Sequence, residues 1–154
     1  MNLAIPILSY ALTSLVAGLL GGAVMVLVMR LIGRADPEKG DMIVALGSLV
    51  TKSRENAWRT GAVLHAISSI GFGLVYAGLL FVLGYTHLPL SMMLGLGVGI
   101  FHGLLASLML VWVVAEKHPL EEFNEAGLAI GLSHFAGHVA YGAVVGLVVG
   151  LSPL

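Results

Sequence analysis

Histidine side chains give this sequence its clearest potential for chemistry. Four of the six histidines lie within long stretches that contain no charged residue. An imidazole surrounded by apolar residues must find a hydrogen-bond partner or a ligand, because an unpaired polar group is costly in hydrocarbon. Each of these side chains is therefore a candidate functional residue, and the set consists of His65, His102, His134 and His138.

The spacing of the histidines predicts which of them meet. His134 and His138 are one helical turn apart and share a helix face, a spacing at which two imidazoles can bind one ion. At about 1.5 Å per residue, His102 and His138 lie about 20 Å from the flanking charges, His134 about 13 Å and His65 about 9 Å. This matched depth on consecutive antiparallel helices predicts that His102 and His138 face each other.

Converging imidazoles without cysteine or carboxylate predict a transition-metal site. Such a ligand set suits copper, zinc or iron, or a haem b held between two histidines of facing helices. His102 and His138 are the expected cofactor ligands, and all four histidines are candidate metal ligands. Met25 and Met109 could add soft sulfur, and the side chains expected to orient the imidazoles by hydrogen bonds are Tyr76, Tyr141 and Ser69.

The same histidines also fit a purely structural interpretation. Helices that pack through glycine often use histidine to hydrogen-bond across to a backbone carbonyl, a serine or a tyrosine. Methionine at helical spacing is commonly a core residue. The sequence leaves both interpretations open.

Long apolar segments must position these side chains. The chain is 58% hydrophobic and 10% charged, and all charged residues fall within 30–59 and 116–125. A span of about 20 apolar residues crosses a bilayer. The charge-free stretch 60–115 is long enough for two spans, and a turn at 84–89 is expected because it contains glycine and proline. We predict an all-α integral membrane four-helix bundle, a single domain over 1–154, with spans at 7–29, 58–83, 90–115 and 126–151.

Basic residues indicate the orientation in the membrane. Arg30, Lys52, Arg54 and Arg59 are among the six basic residues of the first connection, so the positive-inside rule places that connection in the cytoplasm. Two spans later, the connection at 116–125 emerges on the same side. We therefore expect a multi-pass protein of the bacterial cytoplasmic (inner) membrane, with both termini outside.

The two charged connections carry further predictions. Asp36-Pro37-Glu38 is typical of a helix start, and the apolar periodicity that follows predicts an amphipathic helix at 37–52 on the cytoplasmic membrane surface. A plain surface helix and a partner-docking helix are both consistent with it.

A second polar cluster could share one helix face and bind a cation. Acids there could equally stabilise the start of the fourth span, with Asn124 as its N-cap. The role of this cluster is left open, and it consists of His118, Glu121, Glu122 and Glu125.

Glycines four residues apart occur along the spans, as in Gly18 and Gly22 or Gly99 and Gly103. Such stripes let helix backbones approach closely in lipid, and they predict a tightly packed bundle.

The sequence also suggests an internal repeat of two helical hairpins. It aligns Tyr76-Ala77-Gly78 with Tyr141-Gly142, and Gly18-x-x-Gly21-Gly22 with Gly99-x-x-His102-Gly103.

Several of these motifs together resemble an uncharacterised family of small bacterial four-span membrane proteins. The resemblance covers nearly the whole chain and implies a four-span architecture but no activity. His102 and His134 are not part of the pattern. The motifs are Gly18-Leu-Leu-Gly21-Gly22-Ala-Val-Met25, Trp58-Arg-Thr-Gly61-x-x-x-His65, Tyr76-Ala77 and Gly137-His138-Val-Ala-Tyr141-Gly142.

Three functions remain after these observations. The first is a redox or metal-handling membrane subunit that binds a transition metal or haem. The second is a cofactor-free accessory subunit that packs with other membrane subunits or with itself in a homo-oligomer. A small-solute transporter or pore is less well supported, since the spans lack carboxylates and arginines to couple ions. The lipid bilayer is an expected partner, and catalysis by the chain alone is not expected. Nucleic-acid binding is not expected either, because the net charge is -1.

Overall fold

Five α-helices account for most of the residues that the structure describes. The computed structural model describes residues 4–33, 41–124 and 127–153. A π-helical turn extends α4, and a short 3-10 helix precedes α5. The elements are α1 (Ala4–Ile32), α2 (Met42–Thr51), α3 (Ala57–Val82), α4 (Leu90–Met109), the π-helix Leu110–Val114, the 3-10 helix Glu121–Phe123 and α5 (Leu128–Leu151).

Four of these helices are long and apolar enough to cross a membrane. The stretches that meet this criterion are close to the predicted spans. The turn between α3 and α4 is also confirmed, with Gly84 at φ 75° in the left-handed region that glycine adopts readily. The chain is therefore an all-α, multi-pass membrane protein, and the stretches are Ile7–Ile32, Ala57–Val82, Leu90–Val114 and Leu128–Leu151.

Small residues hold the helices together in two antiparallel pairs. In the first pair, Gly73 of α3 lies against Gly18 of α1, so that a Cβ at Gly73 would lie 2.8 Å from the Gly18 Cα. In the second, Gly142 of α5 lies against Gly99 of α4, where the corresponding distance would be 2.9 Å. Backbones this close gain dispersion contacts along their whole length, which substitutes for the missing hydrophobic force in lipid.

These two pairs are structural repeats of each other, in a register different from the predicted one. Gly73 lies against the carbonyl oxygen of Ser14, just as Gly146 lies against that of Ser91. In this register His65 aligns with His138, and a Gly-Leu-Val sequence follows each at the same distance. Tyr76 and Tyr141 are not equivalent. The predicted alignment was wrong because glycines recur every four residues, so several registers look alike in sequence.

The two helix pairs pack against each other mainly on the side of α1 and α5, and the side of α3 and α4 is open. Helices α1 and α5 contact each other broadly, whereas α3 and α4 touch at few positions. Gly21 and Gly137 allow the close contact, since a Cβ at Gly21 would meet the Tyr141 ring and one at Gly137 would meet Met29. The equivalent positions in the other pair carry Val98 and Leu64. Helices α3 and α4 thus lack glycine at the positions where α1 and α5 approach each other closely.

Helix α2 packs against the start of α3. Its predicted place on the cytoplasmic membrane surface stays a prediction. Its N-cap is Asp41, whose carboxylate accepts hydrogen bonds from the backbone N–H groups of Ile43 and Val44 at 3.1 Å. Gly47 lies against the Ala57 backbone at the start of α3, a close contact that a side chain would block. The predicted start at 36–38 lies outside the described residues. The buried residues of α2 are Ile43, Gly47 and Ser48. The close contact at Gly47 was not foreseen because a single glycine does not indicate which helix it packs against.

The connection between α4 and α5 is fastened to α2 by His118. The ring is buried, its Nδ1 accepts from the backbone N–H of Leu120 at 3.1 Å, and its Nε2 therefore donates to the carbonyl oxygen of Ala45 at 3.0 Å. Glu122 instead pairs with Arg54 at 2.7 Å. His118 and Glu122 do not form the predicted common face, because the segment is a 3-10 turn rather than an α-helix.

Two further predictions concern this connection. Glu125 lies outside the described residues, so its part in the proposed cluster stays a prediction. Asn124 does not cap the last helix, since α5 begins at Leu128 with Gly127 as its N-cap.

Candidate functional site

All four spans contribute a potential ligand atom to one cavity in the middle of the bundle. The cavity has a volume of about 80 Å³. Its lining includes Met25 of α1, His65 of α3, His102 of α4 and His138 of α5. In the repeat register, His65 corresponds to His138 and Met25 to His102. The four positions therefore form two pairs that are equivalent in the repeat.

His102 and His138 face each other, as their matched depth predicts. Their ring centroids are 4.6 Å apart, with the planes at 72° in an edge-to-face arrangement. The Nδ1 atom of His102 lies 3.0 Å from the Tyr76 hydroxyl. Phe72 covers the other side of the His102 ring at a centroid distance of 4.3 Å. His102 is thus held between two aromatic residues of α3 and one imidazole of α5.

Backbone carbonyls fix the tautomer of the other histidines. Nδ1 of His138 lies 2.8 Å from the carbonyl oxygen of His134, and Nδ1 of His134 lies 3.0 Å from that of Ile130. A carbonyl can only accept, so each Nδ1 carries the proton and each Nε2 carries a lone pair. By the same argument, Nε2 of His65 donates to the Gly22 carbonyl at 3.1 Å, which leaves its Nδ1 with the lone pair.

The histidines are close together but are not arranged around a point. Within residues 4–33, 41–124 and 127–153, no group of three or more histidine, cysteine, aspartate or glutamate side chains is placed to hold a metal ion. The edge-to-face contact of His102 and His138 also leaves no gap for a porphyrin between the two rings. A haem would need the two helices to separate, so this arrangement does not favour the haem alternative.

The polar residues expected to orient the histidines are only partly involved. Tyr76 bonds His102, as expected, and it also packs edge-on against Tyr141 at 5.5 Å. The Tyr141 hydroxyl instead donates to the backbone carbonyl oxygen of Ser69 at 2.6 Å. Ser69 contributes that carbonyl, and its side chain lies against Gly22. Tyr141 and Ser69 therefore fasten α5 to α3 rather than hold an imidazole.

A second, larger cavity of about 300 Å³ lies beside the first, at the end of the bundle that carries α2. His134 and His138 both line it, together with α2, the π-helical turn and Ser68. Met25 and Met109 are in its walls as well. His134 is therefore separated from His65 and His102, which line only the smaller of the two cavities.

Phe72 and Ser68 line these cavities and were not identified from the sequence. A phenylalanine or a serine on an apolar helix carries no signal of its own. The helical spacing of Phe72 and Ser68 from His65 on α3 does place them near its face. That spacing was the available clue, and it becomes informative once the facing helix is known.

Comparison with protein-family models, curated proteins and solved structures finds no match to this chain. The family resemblance drawn from the motifs therefore stays a prediction. Four apolar helices that can span a bilayer identify the chain as a membrane protein, and its function must be argued from the histidine-lined interior.

Proposed function

We propose that this protein is a metal-handling or redox membrane subunit that binds a single copper(I) ion in the smaller cavity. The ligands would be imidazole nitrogens of His65, His102 and His138, with the Met25 sulfur as a fourth. One observation carries the proposal: each span supplies one ligand-capable side chain to the same 80 Å³ space. Packing alone does not require that coincidence.

Copper(I) fits this ligand set better than zinc or iron. Imidazole and thioether are both ligands that copper accepts, and thioether favours the soft Cu(I) ion. All the proposed ligands are neutral, so the buried site keeps the full charge of its ion. Burying a singly charged ion in a medium of low dielectric constant costs less free energy than burying a doubly charged one.

Binding requires the imidazoles to rotate toward the cavity. One ring N–H of His138 and one of His65 already donate a hydrogen bond to a backbone carbonyl. Such a hydrogen bond commonly orients metal-binding histidines. The remaining nitrogen of each is available to an ion. His102 would exchange its contact with Tyr76 for the ion or keep it through Nδ1 and bind through Nε2.

Metal analysis of protein purified in mild detergent under reducing conditions tests the proposal. We expect one copper per chain and, by X-ray absorption, copper–nitrogen distances of about 2.0–2.1 Å, as is usual for metal-bound imidazole. The variants His102→Ala and His138→Ala should lose the copper. The control is His87→Ala, because His87 is exposed and lies in the turn between α3 and α4.

The proposal is refuted if no transition metal binds with a dissociation constant below about 1 μM. That constant corresponds to a binding free energy of about 8 kcal/mol. Equal copper content in His87→Ala and His138→Ala would refute it as well. A change in melting temperature without a change in metal content would identify the histidines as packing residues.

The alternative is a cofactor-free accessory subunit of a membrane complex or homo-oligomer. A specific observation favours it: each histidine of the smaller cavity already has a hydrogen bond, to Gly22, Tyr76 or His134. Under this alternative the rings only fasten helices. It predicts that the same substitutions lower the melting temperature and leave the metal content at background.

We further propose that the protein resides in the bacterial cytoplasmic membrane with both termini outside. The described basic residues of the first connection support this orientation, because Lys52, Arg54 and Arg59 are all exposed at the end that carries α2. Its partners would be the lipid bilayer and other membrane subunits.

A further inference from the structure

The larger cavity is suited to a small apolar ligand. Its volume of about 300 Å³ is at the lower end of the range for small-molecule sites. Most of its wall is apolar and comes from separate elements, including Leu46 of α2, Leu110 of the π-helical turn and Ile130 of α5. A π-helical turn at a cavity is itself a common feature of functional sites. The occupant should therefore be soluble in the bilayer.

The two histidines in its wall restrict the polar chemistry of the occupant. The Nδ1–H groups of His134 and His138 both donate a hydrogen bond to a backbone carbonyl of their own helix. Among the described residues, neither Nε2 has a hydrogen-bond partner. Each therefore offers an acceptor, and a ligand must donate a hydrogen bond to satisfy it. A ketone, quinone or ester oxygen can only accept and would meet the lone pair instead.

The other polar groups of the wall do not change this selection. Nε2–H of His118 already donates to the carbonyl oxygen of Ala45, with Nε2 and the oxygen 3.0 Å apart. The Ser68 hydroxyl can donate or accept, so it does not discriminate between ligands.

Thioethers in the wall favour an aromatic ring. Met25, Met42 and Met109 all line the cavity, and sulfur–aromatic contacts contribute about 0.3–1.5 kcal/mol each. Methionine is also flexible enough to adapt to a flat ligand.

We infer that the larger cavity binds a membrane-soluble phenol, a class that includes reduced, hydroquinone-type molecules. The ring lies among the methionines, and the hydroxyl donates to Nε2 of His134. His138 and Met25 line both cavities, whereas His134 lines only the larger one. The inference rests on the acceptor of His134, which is not a proposed copper ligand, so it can be tested apart from copper binding.

Matched ligand pairs test the hydrogen-bond selection. The probes are 2,6-dimethylphenol and its methyl ether, and durohydroquinone and duroquinone, with binding to protein in lipid nanodiscs measured by saturation-transfer NMR. We expect each hydroxyl compound to bind at least about tenfold more tightly than its partner, which corresponds to about 1.4 kcal/mol. A preference in both pairs supports a general phenol site. A preference in the second pair alone supports a hydroquinone site.

Substitutions then locate the site. His134→Leu should abolish the preference for the hydroxyl compound, and Leu46→Trp should block binding of every probe by filling the cavity. His87→Ala is the control and should leave phenol binding unchanged, since His87 is exposed in the turn between α3 and α4 and lines neither cavity. Equal binding of the hydroxyl compound and its partner in both pairs would overturn the inference. So would unchanged binding in Leu46→Trp, which remains informative if His134→Leu fails to fold.

Discussion

The hydroxyl of Tyr141 donates to the backbone carbonyl oxygen of Ser69 at 2.6 Å, in a bond buried between α5 and α3. Helices α3 and α5 have few other contacts. This bond therefore connects the two hairpins across the interior, next to the histidine-lined cavity.

Replacing Tyr141 with phenylalanine should destabilise the protein by about 0.5–1.5 kcal/mol, the usual contribution of a hydrogen bond. The ring and its packing on Tyr76 are retained, so the loss reports the hydroxyl. The free energy of unfolding in detergent measures the effect. Tyr10→Phe is the matched control, because its hydroxyl donates to the Leu74 carbonyl at 2.7 Å in an exposed position. We expect the smaller loss there, and an equal loss in both would contradict the role of burial.

Gly99 and Gly97 provide a sharp test of helix packing on a single helix. A Cβ at Gly99 would lie 2.7 Å from the His138 carbonyl oxygen and 3.1 Å from the Val139 Cα, both backbone atoms of α5. A Cβ at Gly97 would meet nothing within 4 Å. Gly99→Ala should therefore lower the melting temperature and weaken the α4–α5 contact, while Gly97→Ala should be neutral or stabilising. Similar melting temperatures for the two variants would show that the stripe is not an interface.

Ser14 and Ser91 occupy equivalent positions in the repeat, and each hydroxyl oxygen is buried without a hydrogen-bond partner among the described residues. An unpaired buried hydroxyl is unfavourable, so removing it should cost nothing. We expect Ser14→Ala and Ser91→Ala to leave the free energy of unfolding unchanged or to raise it by up to about 1 kcal/mol. A loss above that size in either variant would reveal a hydroxyl contact with lipid, water or a partner.

Cysteine labelling tests the proposed orientation in the membrane. The chain has no native cysteine, so single substitutions at Lys52 and Ser152 report opposite ends of the bundle. On intact cells an impermeant maleimide should label the Ser152→Cys variant and spare the Lys52→Cys variant, because basic connections stay in the cytoplasm. The reverse pattern, or labelling of both, would disprove the orientation.

The spans could be predicted closely from the sequence because charge and apolar length act locally. The facing of His102 and His138 could also be predicted, since depth along two connected helices follows from residue number alone. The predicted hairpin contact between α4 and α5 is what brings the two rings together.

The remaining features depend on contacts that residue type does not encode. Gly47 of α2 and Gly61 of α3 fasten these two helices together, yet a glycine within a helix does not indicate which helix it packs against. On the open side of the bundle, Val98 and Leu64 stand where the other pair has Gly21 and Gly137. That difference becomes visible only after the repeat register is known.

The π-helical turn at Leu110–Val114 makes the position of the following connection depend on chain length. A π turn accommodates an extra residue relative to the α-helix. The turn already absorbs that residue, so a further inserted residue would continue as α-helix and rotate the following chain by about 100°. His118 would then lie away from Ala45, and the connection between α4 and α5 would lose its contact with α2. A point substitution of exposed Trp112 would leave that geometry intact, so this segment should tolerate changes of side chain far better than changes of length.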